Sequence, residues 1–363
     1  MTTLENPKDN PIHFPSDRGF HLWTHWPIVI GLLVAALLLF ALAWLQYLLT
    51  GLPPIAIDPT PSYQISFPAW LRLAHYVNFL FIILLMRSGL SILMDHPRLY
   101  WNDDCTLGSE WIRFTPVVTP PHPAWTAKDD ARYISPWLAL PGFRHTIGTA
   151  RHWHFLSALF WFVNGLIFVT LLFAAGAWQR LVPQSWQIIP DAWANFVYYA
   201  TLHLPPELNE LGHYNALQQI SYFGVVFFLA PLSFLTGVAM SPAVVSRFPW
   251  YPRLFGGRQS ARSIHFLLLL AYISFLIMHV TMVVVSGFAR NMNLIVWGSD
   301  DGSLRGIFLG LIGIGLVALL AYLAHWLSWK HPRVPQHWVQ YIHLKVMRRL
   351  LFAHITPQAR YTK

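Results

Sequence analysis

Cysteine is nearly absent from this chain of 363 residues: Cys105 stands alone. A single thiol excludes intrachain disulfides, Cys-ligated iron–sulfur clusters and zinc ribbons, all of which need more than one sulfur. No C-x-x-C-H run occurs, so any haem on this chain is held without thioether bonds, as a b-type group. Charge is scarce too. Only 11% of the residues are Asp, Glu, Lys or Arg, while 55% are hydrophobic. Soluble domains carry about 25% charged residues, so this balance predicts a polytopic membrane protein rather than a large soluble core.

What the chain has instead is long apolar runs. Five are Trp26–Thr50, Ala69–Met94, Phe155–Trp178, Ala216–Met240 and Gly306–Trp329, and a sixth extends from Ser263 to Arg290. Each exceeds the ~20 residues that a bilayer-spanning helix requires, and none contains Asp or Glu. The first follows a polar tail, residues 1–25, and is too long for the core of a signal peptide, with no small-residue cleavage site after it. The expected fold is all-α, with six transmembrane helices.

Lysine and arginine set the expected orientation. With six spans, both termini share a side with the loops Asp95–Arg151 and Ser241–Arg262. That side carries 19 Lys and Arg, against four opposite it (Arg72, Arg180, Arg290 and Arg305), and Arg87 lies within a span. The positive-inside rule then puts both termini in the cytoplasm. The net charge of +9 follows from topology and anionic lipid. No aromatic-interleaved basic motif points to nucleic acid.

Histidines supply the chemistry. His265 and His279 share the uncharged fifth run, fourteen residues apart. On a helix they stand ~21 Å apart along the axis and within ~40° of one face. Ionisable groups in lipid are functional by default, and two stacked imidazoles suggest two haems, one per leaflet. His75, early in the second run, shares the outer leaflet with the late His279, so the two can face each other across one iron; Gly89, fourteen residues on, leaves room for a macrocycle. The third run opens Arg151-His152-Trp153-His154. Its two histidines point ~200° apart, so one metal cannot take both. Small neighbours on its face (Ser157, Ala158, Gly165) favour His154 as the partner of His265, with His152 the alternative.

Arg258 and Arg262, within seven residues of His265, suit haem propionates through bidentate contacts, although positive-inside anchoring accounts for them as well. Arg72, three residues before His75, is a further candidate cofactor contact. Arg87, deep for a charge, is read as a propionate partner or a snorkelling side chain. The loop 95–151 lacks helical or strand periodicity, which makes it either a docking cap for a partner or a plain lid. The connection Gly176–His213 carries tryptophans suited to an aromatic belt. Residues 304–329 are glycine-rich, as in close helix packing, and the basic tail 330–363 contains an amphipathic stretch, Trp338–Leu351, expected to lie on the membrane surface.

Taken together, Arg72-Leu-Ala-His75-Tyr-Val-Asn with Arg87-Ser-Gly, Arg151-His-Trp-His154-Phe with Asn164-Gly, Leu-Thr-Gly-Val-Ala-Met-Ser-Pro, and Phe-Gly-Gly-Arg258-Gln-Ser-Ala-Arg-Ser-Ile-His265 with His279 resemble one superfamily. It comprises bacterial di-haem cytochromes b561, hydrogenase b-type cytochromes and formate dehydrogenase gamma subunits. The thiosulfate-reductase-type cytochrome b subunits are the most similar subgroup. The resemblance covers 67–293 and implies a four-helix di-haem core with two haem b groups, quinone exchange and a molybdopterin oxidoreductase as partner, in the bacterial inner membrane. Substrate chemistry would belong to that partner. The chain departs from the simple pattern by adding residues 26–50 before the core and 304–329 after it, and the extra first helix inverts the core relative to relatives whose first core helix starts in the cytoplasm. Two other readings compete: a His-lined membrane transporter, and a purely structural membrane anchor.

Overall fold

The structure, a computed structural model, describes residues 26–55, 67–105, 109–114, 131–142, 147–205 and 214–342. The N-terminal tail, His213 and the chain beyond Ile342, where most of the amphipathic stretch falls, lie outside the described residues. Six helices are long and apolar enough to cross a membrane. They are α1 (Trp26–Thr50), α2 (Ala69–Asp95), α3 (Ile147–Ala174), α4 (Ala216–Met240), α5 (Arg258–Val285) and α6 (Arg305–Lys330). Among the described residues the strand pairing is one short antiparallel ladder, β1 (Arg98–Leu99) with β2 (Ile112–Arg113). The fold is an all-α polytopic membrane protein.

The helices associate as pairs. α2 lies along α3, and α4 along α5. Burial of apolar surface gives little drive between helices in lipid, so polar cross-ties and small residues matter more. Trp161 Nε1 donates to Asn78 Oδ1 at 2.7 Å, and Asn164 Nδ2 donates to the Ala74 carbonyl at 3.0 Å. Both ties join α3 to α2. α6 packs on α2 and on the Phe288–Met292 helix that follows α5. A methyl group at Gly313 would stand 2.8 Å from the Tyr76 ring, so the small residues of α6 do serve close packing.

Arg87 finds a role that neither sequence expectation named. Its Nη2 donates to the carbonyls of Pro136 (2.6 Å) and Ala139 (3.2 Å), and its Nη1 donates to Ala321 (3.3 Å). The guanidinium thereby clamps the 131–142 loop segment and α6 onto α2. Leu140 from that loop enters an apolar cluster with Leu84, Trp153, Leu156, Ala321 and Ala324. The helix Arg333–Ile342 starts five residues before the expected amphipathic stretch and overlaps its beginning, and its Val339 and Ile342 pack against the same cluster.

Three further features depart from expectation. α3 begins at Ile147 rather than Phe155, because Thr149, Ala150 and Trp153 bury against neighbours and carry the helix past the apolar run. The 176–213 connection contains a helix, Ile188–Ala200, whose Val197 and Ala200 pack on Ala43 of α1, while Trp193 Nε1 donates to Gln46 Oε1 at 2.7 Å. The rest of the described α1 is largely exposed apolar surface, as lipid contact requires. Finally, α4 widens into a π turn over Val225–Leu229. Pro231 follows with no N–H to offer the preceding turn, a known cause of such local rearrangement.

Candidate haem-binding site

α5 is the scaffold for both histidine pairs. Near its start, His265 meets His154 of α3, with ring centroids 6.2 Å apart and planes at 67°. Near its end, His279 meets His75 of α2 at 6.3 Å and 52°. An imidazole nitrogen lies about 1.1 Å from its ring centre, and metal–imidazole bonds run about 2.0–2.1 Å. Two rings on opposite sides of one metal therefore put their centroids about 6.3 Å apart. Both pairs have this spacing. Fourteen residues of α5 separate the pairs, about 21 Å along the axis, which places one on the termini side of the membrane and the other on the far side.

Glycines stand against both rings of the termini-side pair. A Cβ at Gly89 would lie 3.4 Å from Cε1 of His154, and one at Gly237 would lie 3.6 Å from Cε1 of His265. Glycine on α2 and on α4 thus leaves each ring free of a side chain at that point. The donor set, two imidazoles in each pair and no cysteine, suits haem b iron. The residues fit the group.

The surroundings of the pairs differ. Ser88 Oγ donates to the Leu84 carbonyl at 2.6 Å and lies 3.1 Å from Nδ1 of His154. Thr236 Oγ1 donates to Leu232 at 2.8 Å and lies 2.9 Å from Nδ1 of His265. A hydroxyl has one proton to give. With that proton directed to the carbonyl, each oxygen accepts from the imidazole, which makes Nδ1 the N–H and leaves the Nε2 lone pair for a metal. The far-side pair is framed by rings instead. Phe275 stacks on His279 (5.5 Å, 12°), and Tyr222 meets His279 edge-on (6.1 Å).

His152 is turned elsewhere: its Nδ1 contacts the Gly148 carbonyl of its own helix. Of the two candidates on α3, His154 is the one brought to His265. Arg72 directs Nη1 to the carbonyls of Val296 and Trp297, both at 2.8 Å, tying the start of α2 to the turn after α5. Arg262 directs Nη1 to Arg98 O at 2.8 Å and Nη2 to His96 O. For a cofactor carboxylate, each has only its remaining N–H capacity to offer. Arg258 is exposed on the first turn of α5.

A cap covers the termini-side end of α5. Gly256 and Gly257 adopt φ of +82° and +113°, and Asp103 from the loop accepts from the N–H groups of Arg258 (3.2 Å) and Gln259 (2.7 Å). The carboxylate approaches so closely that a Cβ at Gly257 would fall 2.6 Å from it, so glycine is required by space as well as by φ. Trp111 Nε1 donates to Ser263 Oγ at 2.8 Å, and Ser263 Oγ donates to Tyr100 O at 2.6 Å. Beneath these contacts Glu110 sits between two buried guanidinium groups, 3.2 Å from Arg98 and 3.8 Å from Arg113. Burial lowers the pKa of His96 beside this cap; Asp95 opposes the shift, and Arg262, Arg151 and Arg258 add to it. Sequence reading missed Ser88, Thr236, Asp103 and Glu110. Only the glycine pair before Arg258 hinted at an unusual helix start.

Comparison with known proteins agrees with this geometry. A relative of similar sequence is the "Putative protein-methionine-sulfoxide reductase subunit YedZ1" of Azospira oryzae, 26% identical over 217 residues, which are 60% of this chain and 88% of that protein. No solved structure matches. The family model described as prokaryotic cytochrome b561 matches residues 66–298, a range that holds α2 to α5 with all four paired histidines and leaves out α1 and α6. The chain belongs to the prokaryotic cytochrome b561 family, and is a membrane protein of the haem b-binding kind.

Proposed function

We propose that the chain is a di-haem b electron-transfer subunit of a bacterial inner membrane, passing electrons between the quinone pool and a partner oxidoreductase of the molybdopterin class. The observation that carries this reading is the pair of imidazole couples that α5 makes with α3 and α2, His265 with His154 and His279 with His75, at ring-centroid distances of 6.2 Å and 6.3 Å. Haem, when bound, supplies a one-electron ferric–ferrous couple. The side chains do the rest. His154 with His265, and His75 with His279, would each hold one iron between two imidazoles, a donor set that suits outer-sphere electron transfer rather than oxygen chemistry. α2, α3 and α5 fix the two couples at opposite depths, which suits stepwise transfer across the bilayer.

An oxidoreductase partner is supported by the relative from Azospira oryzae, a reductase subunit by name, and the molybdopterin class by the motif resemblance. The excess of Lys and Arg on the termini side supports cytoplasmic termini. A transporter reading asks for carboxylates or broken helices at midplane. Among the described spans the only carboxylate is Asp95, at the very end of α2.

The test is reduction of the purified protein by a quinol, followed at the haem α band. Most of the dithionite-reducible absorbance should appear with duroquinol alone. Haem that dithionite reduces and quinol leaves untouched would overturn the quinone link.

A further inference from the structure

Ser88 and Thr236 stand out among the polar groups of the bundle. Both residues are 0% exposed. Each hydroxyl donates within its own helix, most closely to the carbonyl four residues back, and turns its oxygen to Nδ1 of a histidine on another helix, where the carbonyls of Leu85 and Ser233 also hydrogen-bond the rings. Ser88 does so from α2 toward α3, and Thr236 from α4 toward α5. The same arrangement therefore occurs on both imidazoles of the termini-side pair. Among the described residues, no hydroxyl or carboxylate makes such a hydrogen bond to His75 or His279, whose neighbours are the rings of Tyr76, Tyr222 and Phe275.

We propose that Ser88 and Thr236 are positioning residues that fix the Nδ1–H tautomer of His154 and His265 and lower the reduction potential of the iron those imidazoles hold. This rests on the haem reading above. An acceptor at Nδ1–H draws the proton outward and leaves more electron density on Nε2. The richer donor stabilises ferric over ferrous iron, so the couple moves to lower potential. Neighbouring arginines act in the opposite sense, since positive charge favours the reduced state. The hydroxyls are thus recognised by the direction in which the potential moves on their removal, whichever site is the lower one in the wild-type protein.

Potentiometric redox titration of the intact protein, read at the haem α bands, tests this. Ser88→Ala and Thr236→Val should each raise the potential of one haem and leave the other unchanged. The expected shift is a threefold to tenfold change in the ferrous-to-ferric ratio at fixed ambient potential, where tenfold is about 59 mV for one electron. Ser88→Thr and Thr236→Ser, which keep the hydroxyl, should restore the wild-type value. His279→Ala, which leaves only the termini-side haem, identifies the moving component. The proposal fails if both haems bind and neither potential moves, if the far-side haem moves instead, or if the potential falls. Loss of the termini-side haem in both hydroxyl-less variants would also overturn it, by showing that the hydroxyls serve assembly alone. A wild-type protein without haem would overturn the haem reading itself, a different result from haem bound at unchanged potential.

Discussion

The two ends of α5 hold imidazole pairs of nearly equal separation, 6.2 Å and 6.3 Å, in unlike surroundings. The termini-side pair is set by hydroxyls, flanked by two glycines and roofed by a loop with a buried charge cluster. The far-side pair is set by aromatic rings. Ligand spacing is therefore a property of helix placement, which both sites share. The hydrogen-bonding and aromatic surroundings are local additions that each site acquires by itself. The difference predicts that the two sites can be broken independently.

The largest effect should come from the ligands. His154→Ala or His265→Ala should remove one haem of two and leave the other, and His75→Ala or His279→Ala should do the reverse. His152→Ala should retain both, since its ring is turned to Gly148. Haem per polypeptide, measured as the pyridine haemochromogen, reads this directly. Joint loss of both haems from any single substitution would contradict independence.

A smaller effect is expected at the cap. Glu110→Gln removes the carboxylate between two buried guanidinium groups, a change that costs about 3–5 kcal/mol when a buried pair is broken. The termini-side haem should be released at lower temperature in a thermal ramp, while the far-side haem holds its wild-type release temperature. Gly257→Ala acts on the same cap through φ of +113° and the approach of Asp103, with a penalty of about 1–3 kcal/mol. Limited proteolysis of the 96–114 segment should become faster in that variant.

The smallest change belongs to the far side. Asn215 caps α4, accepting from Gln218 N at 2.9 Å while Gln218 Oε1 accepts from Asn215 N at 3.1 Å, and it also donates to Tyr199 Oη at 2.7 Å. Asn215→Ala should cost about 1 kcal/mol. It should disturb the His279 side only, seen as a modest earlier release of the far-side haem.

The sequence made the helices legible because lipid imposes one simple rule, a long apolar run without acids, and all six runs correspond to helices. The histidine pairing was legible for a related reason. A fourteen-residue spacing on a 3.6-residue helix fixes the relative face and depth of His265 and His279, and span direction matches His75 to the second and either His154 or His152 to the first. What could not be read depends on contacts between distant segments. Nothing in the residues around Asp103 marks it as the cap of a helix 155 positions later in the chain. Nor does anything local to Ser88 indicate a histidine on another helix. Arg87 was open to two readings, a propionate partner or a snorkelling side chain, because its acceptors are backbone carbonyls, which every sequence has and no sequence singles out. The Ile188–Ala200 helix was hidden for another reason: at 13 residues it is shorter than a spanning run.

Electron paramagnetic resonance of the oxidised protein tests the central claim most directly. Two bis-imidazole irons in different surroundings should give two distinct low-spin ferric signals that integrate to two spins per chain. A high-spin signal from either site, or one spin per chain in fully folded protein, would contradict the assignment of two histidine pairs as axial ligands.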